Sequence, residues 1–189
     1  VGPLTNIANA IVSEPAILPK IEQIVSMGGG RSEGGNITPA AEFNIYVDPQ
    51  AADVVYRCGV PIVAMPLDVT HRALMPKTWI EAVAAIGSDM GEKTAAMLRF
   101  YERFDVEKYG DFGGPVHDPA VIAYLLQPNL YTGKPAYVEV EVESELTMGM
   151  TVVDFWGVTG NEPNCTWMYD VDSEAFFALL LERLATLVN

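Results

Sequence analysis

Two apolar runs of strand length, "IEQIVSM" (Ile21–Met27) and "PIVAMPLD" (Pro61–Asp68), flank a stretch that reads as a helix, "DPQAADVVYRCG". Short unbroken apolar runs suit strands covered on both faces. A chain that alternates such strands with helices folds as α/β, because the helices supply the cover. The alternation holds over the first two thirds of the chain and predicts an open, mostly parallel sheet with helices on both faces. The last third differs. There "AYVEVEVESEL" and "GMTVVDFW" alternate apolar with polar residues, which predicts additional antiparallel or edge strands near the C-terminus. No repeat and no second domain stands out, so residues 1–189 read as a single domain.

Local signals place the other elements. In "PLTNIANAIVSEP", Thr5 is the expected cap, Ile7, Ala10 and Ile11 recur at helical spacing, and Pro15 closes the helix. Asp48 caps the next helix, Pro49 takes its first position and Gly59 ends it. Further helices are expected around Thr78–Ile86 and Lys93–Lys108, after Asp118-Pro119, and in "EAFFALLLERLATLV" with Asp172 or Ser173 as cap. "AEFNIYV" and "TWMYDVD" read as short strands, and "RFYERF" as helix packing. The loop "GGGRSEGGNITPA" holds too many glycines for regular structure and is expected at the surface or around a ligand.

Charge narrows the partners. Asp and Glu number 25 against 11 Lys and Arg, a formal charge of −14. Such a surface repels phosphate backbones and anionic lipid, so neither nucleic acid nor membrane is an expected partner. It suits a hard cation held among carboxylates. No apolar run is long enough to span a bilayer, and no basic start precedes an apolar stretch as in a signal peptide. Cys58 and Cys165 make no spaced framework and read as two reduced thiols of a cytoplasmic protein. The opening "VGPLTNIANAIVSEP" lacks an initiator Met, as expected of an excised piece.

In open α/β sheets ligands bind in the loops beyond the carboxyl ends of strands. Four stretches fall there: Gly28–Ala40, Asn44–Asp48, Val69–Met75 and the approach to His117. His117-Asp118 reads in two ways, as the start of a helix or as a proton donor beside a metal ligand. Glu42 and Asn44, two apart on a strand, would share one face with Phe43 on the other. That face is either a solvated edge or, with a carboxylate beside an amide, suited to a polyhydroxyl compound such as a sugar. Asp68 is expected to bond backbone amides of its own turn. His71 reads as structural or solvated, and Cys58 as inert.

Taken in order, "GPLTNIA", "IVSMGGG", "GNITPAAEFNIYVDPQAA", "PLDVTH", "VHDPAVIAYLLQP" and "GMTVVD" resemble the inosine–uridine-preferring nucleoside hydrolases nearly end to end. The resemblance implies a Rossmann-like α/β fold and calcium-dependent cleavage of the N-glycosidic bond of ribonucleosides with water. It implies that Asp118 and the backbone carbonyl of Val1 bind calcium. Asn36, Glu42 and Asn44 would hold ribose hydroxyls, and Met27 would line the sugar pocket. His117 would protonate the leaving base, and Tyr109 would close over it. The partner implied is a ribonucleoside, and the oligomer a homodimer or homotetramer.

One hallmark is absent. The family's amino-terminal aspartate cluster, "DxDxxxDD", occurs nowhere in the 189 residues. The chain thus resembles the carboxyl-terminal part of a nucleoside hydrolase with its amino-terminal part missing. Calcium takes six to eight oxygens, so metal binding by this chain alone is expected to be weak or absent, and the chain alone inactive. The alternative is a non-catalytic remnant, or a ribose- or nucleoside-binding scaffold without the metal site.

Overall fold

The computed structural model describes residues 2–109 and 113–187, with side chains throughout except at 102–109. Its sheet contains β1 (Ile24–Met27), β2 (Ile62–Met65), β3 (Tyr131–Val140), β4 (Thr151–Asp154) and β5 (Cys165–Val171), in the order β1-β2-β5-β3-β4. β1 runs parallel to β2, Ile24 facing Ile62, and β2 runs parallel to β5, Ile62 facing Cys165. β3 and β4 are antiparallel, with Val140 facing Thr151. The apolar runs therefore form the parallel part and the alternating segments the antiparallel part. All four residues of β2 are buried.

The helices are α1 (Thr5–Ser13), α2 (Phe43–Tyr46), α3 (Pro49–Tyr56), α4 (Leu67–Thr70), α5 (Lys77–Ala84), α6 (Asp89–Tyr109), α7 (Pro119–Leu126) and α8 (Ser173–Thr186). The chain divides into two compact units, Val1–Val69 with Tyr131–Asp170, and Thr70–Leu130 with Val171–Asn189. Among the described residues no helix is long and apolar enough to cross a membrane.

In the first unit α1 and α3 pack with the sheet around Val55, Tyr56, Ile62, Val138 and Trp167. α1 differs from the sequence reading. Its buried stripe is Leu4, Ala8 and Ile11, while Ile7 and Ala10 are exposed. Its N-cap is Leu4, and the Thr5 hydroxyl instead donates to Asp48 Oδ2 (2.6 Å). The other Asp48 oxygen accepts from the Ala51 amide, capping α3 as expected. Between α3 and β3, the Asn164 side chain behaves as a substitute strand residue. Its Oδ1 accepts from the Val138 amide (2.8 Å), and its Nδ2 donates to the carbonyls of Val138 and Tyr56.

In the second unit α5 packs against α6 and α8. Trp79 Nε1 donates to the Phe177 carbonyl (2.8 Å), and the two rings lie 5.1 Å apart. Asp172 caps α8 by accepting from the Ala175 amide. Of the aromatic run on α6, Phe100 and Tyr101 are exposed rather than buried.

Two measurements check this packing. Asn164→Ala leaves the buried Val138 amide without an acceptor and should lower stability by about 1–3 kcal/mol in urea unfolding; an unchanged midpoint would contradict the bridge. Cys165 is 4% exposed, and burial pushes its thiol up to about 12. Thiol reagents at mildly alkaline pH should therefore label the half-buried Cys58 in the native protein and reach Cys165 only after denaturation.

Candidate active site

The first residues of the glycine loop after β1, Gly28–Gly30, are buried. Gly28 N–H donates to the Met65 carbonyl (3.3 Å) and Gly29 N–H to Glu42 Oε2 (3.0 Å). Gly30 N–H donates to Thr151 Oγ1 (3.0 Å), which in turn donates to the Gly30 carbonyl (2.9 Å). The next two amides, Arg31 and Ser32, go to Asp68 Oδ2 (2.8 Å) and Oδ1 (2.7 Å). Asp68 thus clamps a loop far back in sequence rather than its own turn. Gly30 has no alternative, since a Cβ there would lie 2.2 Å from the Gly34 carbonyl oxygen. The amides of Gly28 to Ser32 are thus committed to protein acceptors and not presented in a row to an anion.

The segment after the loop corrects the strand reading of Glu42 and Asn44. Residues Phe43–Tyr46 are helical, and Glu42 is the N-cap. Its carboxylate, 2% exposed, accepts from the amides of Asn44 (3.0 Å) and Ile45 (3.3 Å) as well as Gly29. Asn36 Oδ1 accepts from the remaining first-turn amide, that of Phe43 (2.8 Å). Three amides closed by side chains outweigh a brief period-two pattern.

The same bonds orient the polar groups. Asn44 Nδ2 donates to the Met27 carbonyl (3.2 Å) and touches Met27 Sδ (3.4 Å), which leaves Asn44 Oδ1 without a partner among the described residues. Asn36 presents the opposite half, because its Oδ1 is used and its Nδ2 has no partner among the described residues. One acceptor and one donor, flanking the start of α2, suit hydroxyl groups. Met27, Asn36, Glu42 and Asn44 are thereby brought together in the first unit.

In the second unit a two-residue bridge delivers His117. The Met75 amide donates to the Gly114 carbonyl (3.0 Å) and the Val116 amide to the Ala73 carbonyl (3.1 Å), with Leu74 facing Pro115. Gly113 makes the approach with φ +77°, and a Cβ there would lie 2.1 Å from the Met75 carbonyl oxygen. The His117 ring sits with Nδ1 2.8 Å from Thr70 Oγ1, and its centroid is 5.8 Å from that of His71. Sequence reasoning missed Thr70, Thr151 and this pairing of the two histidines. The only local signal was "VTHR", a hydroxyl and an imidazole in one turn.

Asp118 occupies the N-cap position of α7, with Pro119 following, but makes no capping hydrogen bond. The Ala120 and Val121 amides, which a cap would satisfy, are already taken by the His117 and Asp118 carbonyls (3.1 and 3.2 Å). Asp118 backbone is helical (φ −62°, ψ −38°), unlike the capping Asp48 (ψ 76°) and Asp172 (ψ 90°). Its exposed carboxylate has no hydrogen-bond partner among the described residues. The Val1 carbonyl and the Tyr109 side chain, both expected at the site, lie outside the described residues.

A family model described as "Inosine-uridine preferring nucleoside hydrolase" matches residues 1–178. The chain belongs to this family. It is 49% identical to the pyrimidine-specific ribonucleoside hydrolase RihA of Enterobacter sp. (strain 638), over 97% of this chain and 59% of that protein. Among solved structures it is similar to the purine-preferring ribonucleoside hydrolase from Gardnerella vaginalis, with TM-score 0.89 and 31% identity over 98% of this chain and 59% of that one. A plant nucleoside hydrolase, the PpNRh1 enzyme, gives TM-score 0.87 and 32% identity over 98% and 60%. The chain spans about three fifths of the length of the relatives it matches.

Asp68→Asn puts an amide NH2 against the amide of Arg31 or Ser32. It should cost about 1–3 kcal/mol of stability. Hydrogen exchange should accelerate at Arg31 and Ser32 while Gly29, held by Glu42, stays protected. Uniform acceleration along the loop would show that Asp68 is not a separate clamp.

Proposed function

We propose that the protein is a ribonucleoside N-ribohydrolase, and that this chain supplies its sugar contacts and its leaving-group acid. The observation that supports this most is the His117-Asp118 pair: a ring anchored at Nδ1 beside a carboxylate that takes no part in its own helix. Loss of a base from ribose passes through an oxocarbenium-like state, so the departing base needs a proton or hydrogen-bond donor and the sugar needs to be held. His117 acts on the base. Asn44 Oδ1 and Asn36 Nδ2 accept from and donate to ribose hydroxyls, while Glu42 and Met27 fix the floor beneath them.

Calcium, implied by the resemblance, is not accommodated by this chain's described residues alone. Among them no three His, Cys, Asp or Glu side chains gather, and a calcium ion takes six to eight oxygens. Asp118 is the one side-chain donor assigned here, and no step is routed through the metal. Turnover is accordingly expected of the whole protein and not of these 189 residues by themselves.

We assign both units to one hydrolase domain, since the family match runs across them. Two free cysteines suit a cytoplasmic protein, and a homo-oligomer follows from the resemblance. A second reading, a ribose-binding scaffold without turnover, draws on the fact that the Asn36–Asn44 group is complete within the first unit.

In the whole protein, His117→Ala should cut turnover of ribonucleosides by roughly 10²–10⁴-fold, as loss of an acid does. p-Nitrophenyl riboside, whose leaving group departs as a stable anion, should lose far less. Equal losses would remove His117 from the acid role; ribose binding with no hydrolysis would favour the scaffold. Asp118→Asn should abolish tight calcium binding while leaving stability within about 0.5 kcal/mol, because no cap bond is lost. Unaltered calcium affinity would strike Asp118 from the metal site.

A further inference from the structure

Thr70 is 1% exposed, and its hydroxyl has one hydrogen-bond partner among the described residues, His117 Nδ1 at 2.8 Å. A hydroxyl brings one hydrogen and two lone pairs, whereas each nitrogen of an uncharged imidazole brings either a hydrogen or a lone pair. Two arrangements fit the distance. If Nδ1–H donates, the buried Thr70 hydrogen finds no acceptor among the described residues. If Thr70 O–H donates, Nδ1 accepts, every group at the contact is satisfied, and the ring hydrogen resides on Nε2. A stranded buried donor is costly, so the second arrangement prevails.

We infer that Thr70 is a positioning residue that holds His117 as the tautomer carrying its hydrogen on Nε2. The ring's other nitrogen is then a donor and not an acceptor. That suits a group acting on a departing base and disqualifies His117 as the base that takes a proton from water. An imidazolium also bears hydrogen on Nε2, but its Nδ1 no longer accepts from Thr70, so the tautomer assignment concerns the uncharged ring, which offers the departing base a hydrogen bond. The backbone reinforces the orientation: Thr70 ends α4, and its carbonyl accepts from the Ala73 amide (3.1 Å). The Ala73 carbonyl in turn accepts from Val116, next to His117. One short run of chain, 70–73, therefore fixes both the ring and its backbone.

The direction of the Thr70–His117 bond stands on burial alone. Its consequence for the reaction rests on the hydrolase reading above, and the test separates the two. Nitrogen NMR of the whole protein, labelled in histidine and recorded where the ring is uncharged, should show His117 with hydrogen on Nε2 and Nδ1 as a hydrogen-bonded acceptor. Hydrogen on Nδ1 would overturn the inference without any activity measurement. Thr70→Val should give mixed tautomers and lower kcat on ribonucleosides more than on p-nitrophenyl riboside, with KM little changed. The loss should be smaller than the roughly 10²–10⁴-fold of losing an acid outright. Thr70→Ser should recover the wild-type spectrum and kcat. A valine variant that keeps the wild-type tautomer and kcat would also overturn the inference. If that variant does not fold by circular dichroism, the wild-type and serine spectra decide. A wild-type protein that shows the Nε2 hydrogen but hydrolyses no nucleoside would sink the hydrolase reading and leave the tautomer assignment standing.

Discussion

The amides of Gly28 to Ser32 are the constraint from which the first unit is built. Gly28 to Gly30 are buried and cannot hand their donors to water, so each needs an internal acceptor, while the amides of the exposed Arg31 and Ser32 close on Asp68. Here the acceptors come from three directions: the end of β2, the carboxylates of Glu42 and Asp68, and the hydroxyl of Thr151 on β4. This is why two carboxylates of a strongly acidic chain are buried when most others face solvent. Hydrogen bonds from the loop amides to these two carboxyl groups replace the sheet ladder where it stops.

Because Glu42 holds Gly29 with the oxygen that also accepts from Ile45, the loop and the start of α2 are one object. Asn44 is carried on that object and spends its NH2 on Met27 at the end of β1; Asn36 spends its carbonyl on Phe43. Each amide is fixed through one half and presents the other. Groups locked in this way meet a ligand with little further ordering, which is how a binding site is preorganised. The second unit applies the same device to an imidazole: a backbone bridge brings His117 to Thr70, and a buried hydroxyl orients it.

The family match spans these arrangements. The motif blocks that carry the likeness, "GGG", "AEFN", "PLD", "VTH" and "HDP", are the stretches that hold one another through the bonds described within each unit. In the relatives matched, such stretches lie within proteins of which this chain spans about three fifths. A supporting bond and a ligand contact leave the same trace in a sequence, a polar residue in a loop. Glu42 and Thr70 show that the geometry of the bonds is needed to tell them apart.

By itself the sequence determined what acts over a few residues. Apolar runs became the parallel strands, alternating segments the antiparallel pair, and Asp48 and Asp172 the caps of α3 and α8, because side-chain period and cap chemistry are local. "AEFNIYV" escaped because its helix is closed by Asn36, several residues back, and by a carboxylate shared with Gly29. The two Asp-Pro steps make the point most sharply. Asp48-Pro49 and Asp118-Pro119 carry the same local signal, yet Asp48 caps its helix and Asp118 does not. At Asp48 the backbone is not helical, and the carboxylate reaches the Ala51 amide. At Asp118 the chain arrives from the bridge at 113–116 already wound into a helical turn, so the carbonyls of His117 and Asp118 occupy the amides a cap would take. Only the tertiary path of the preceding residues decided which carboxylate was used up as a cap and which was left without a hydrogen-bond partner among the described residues.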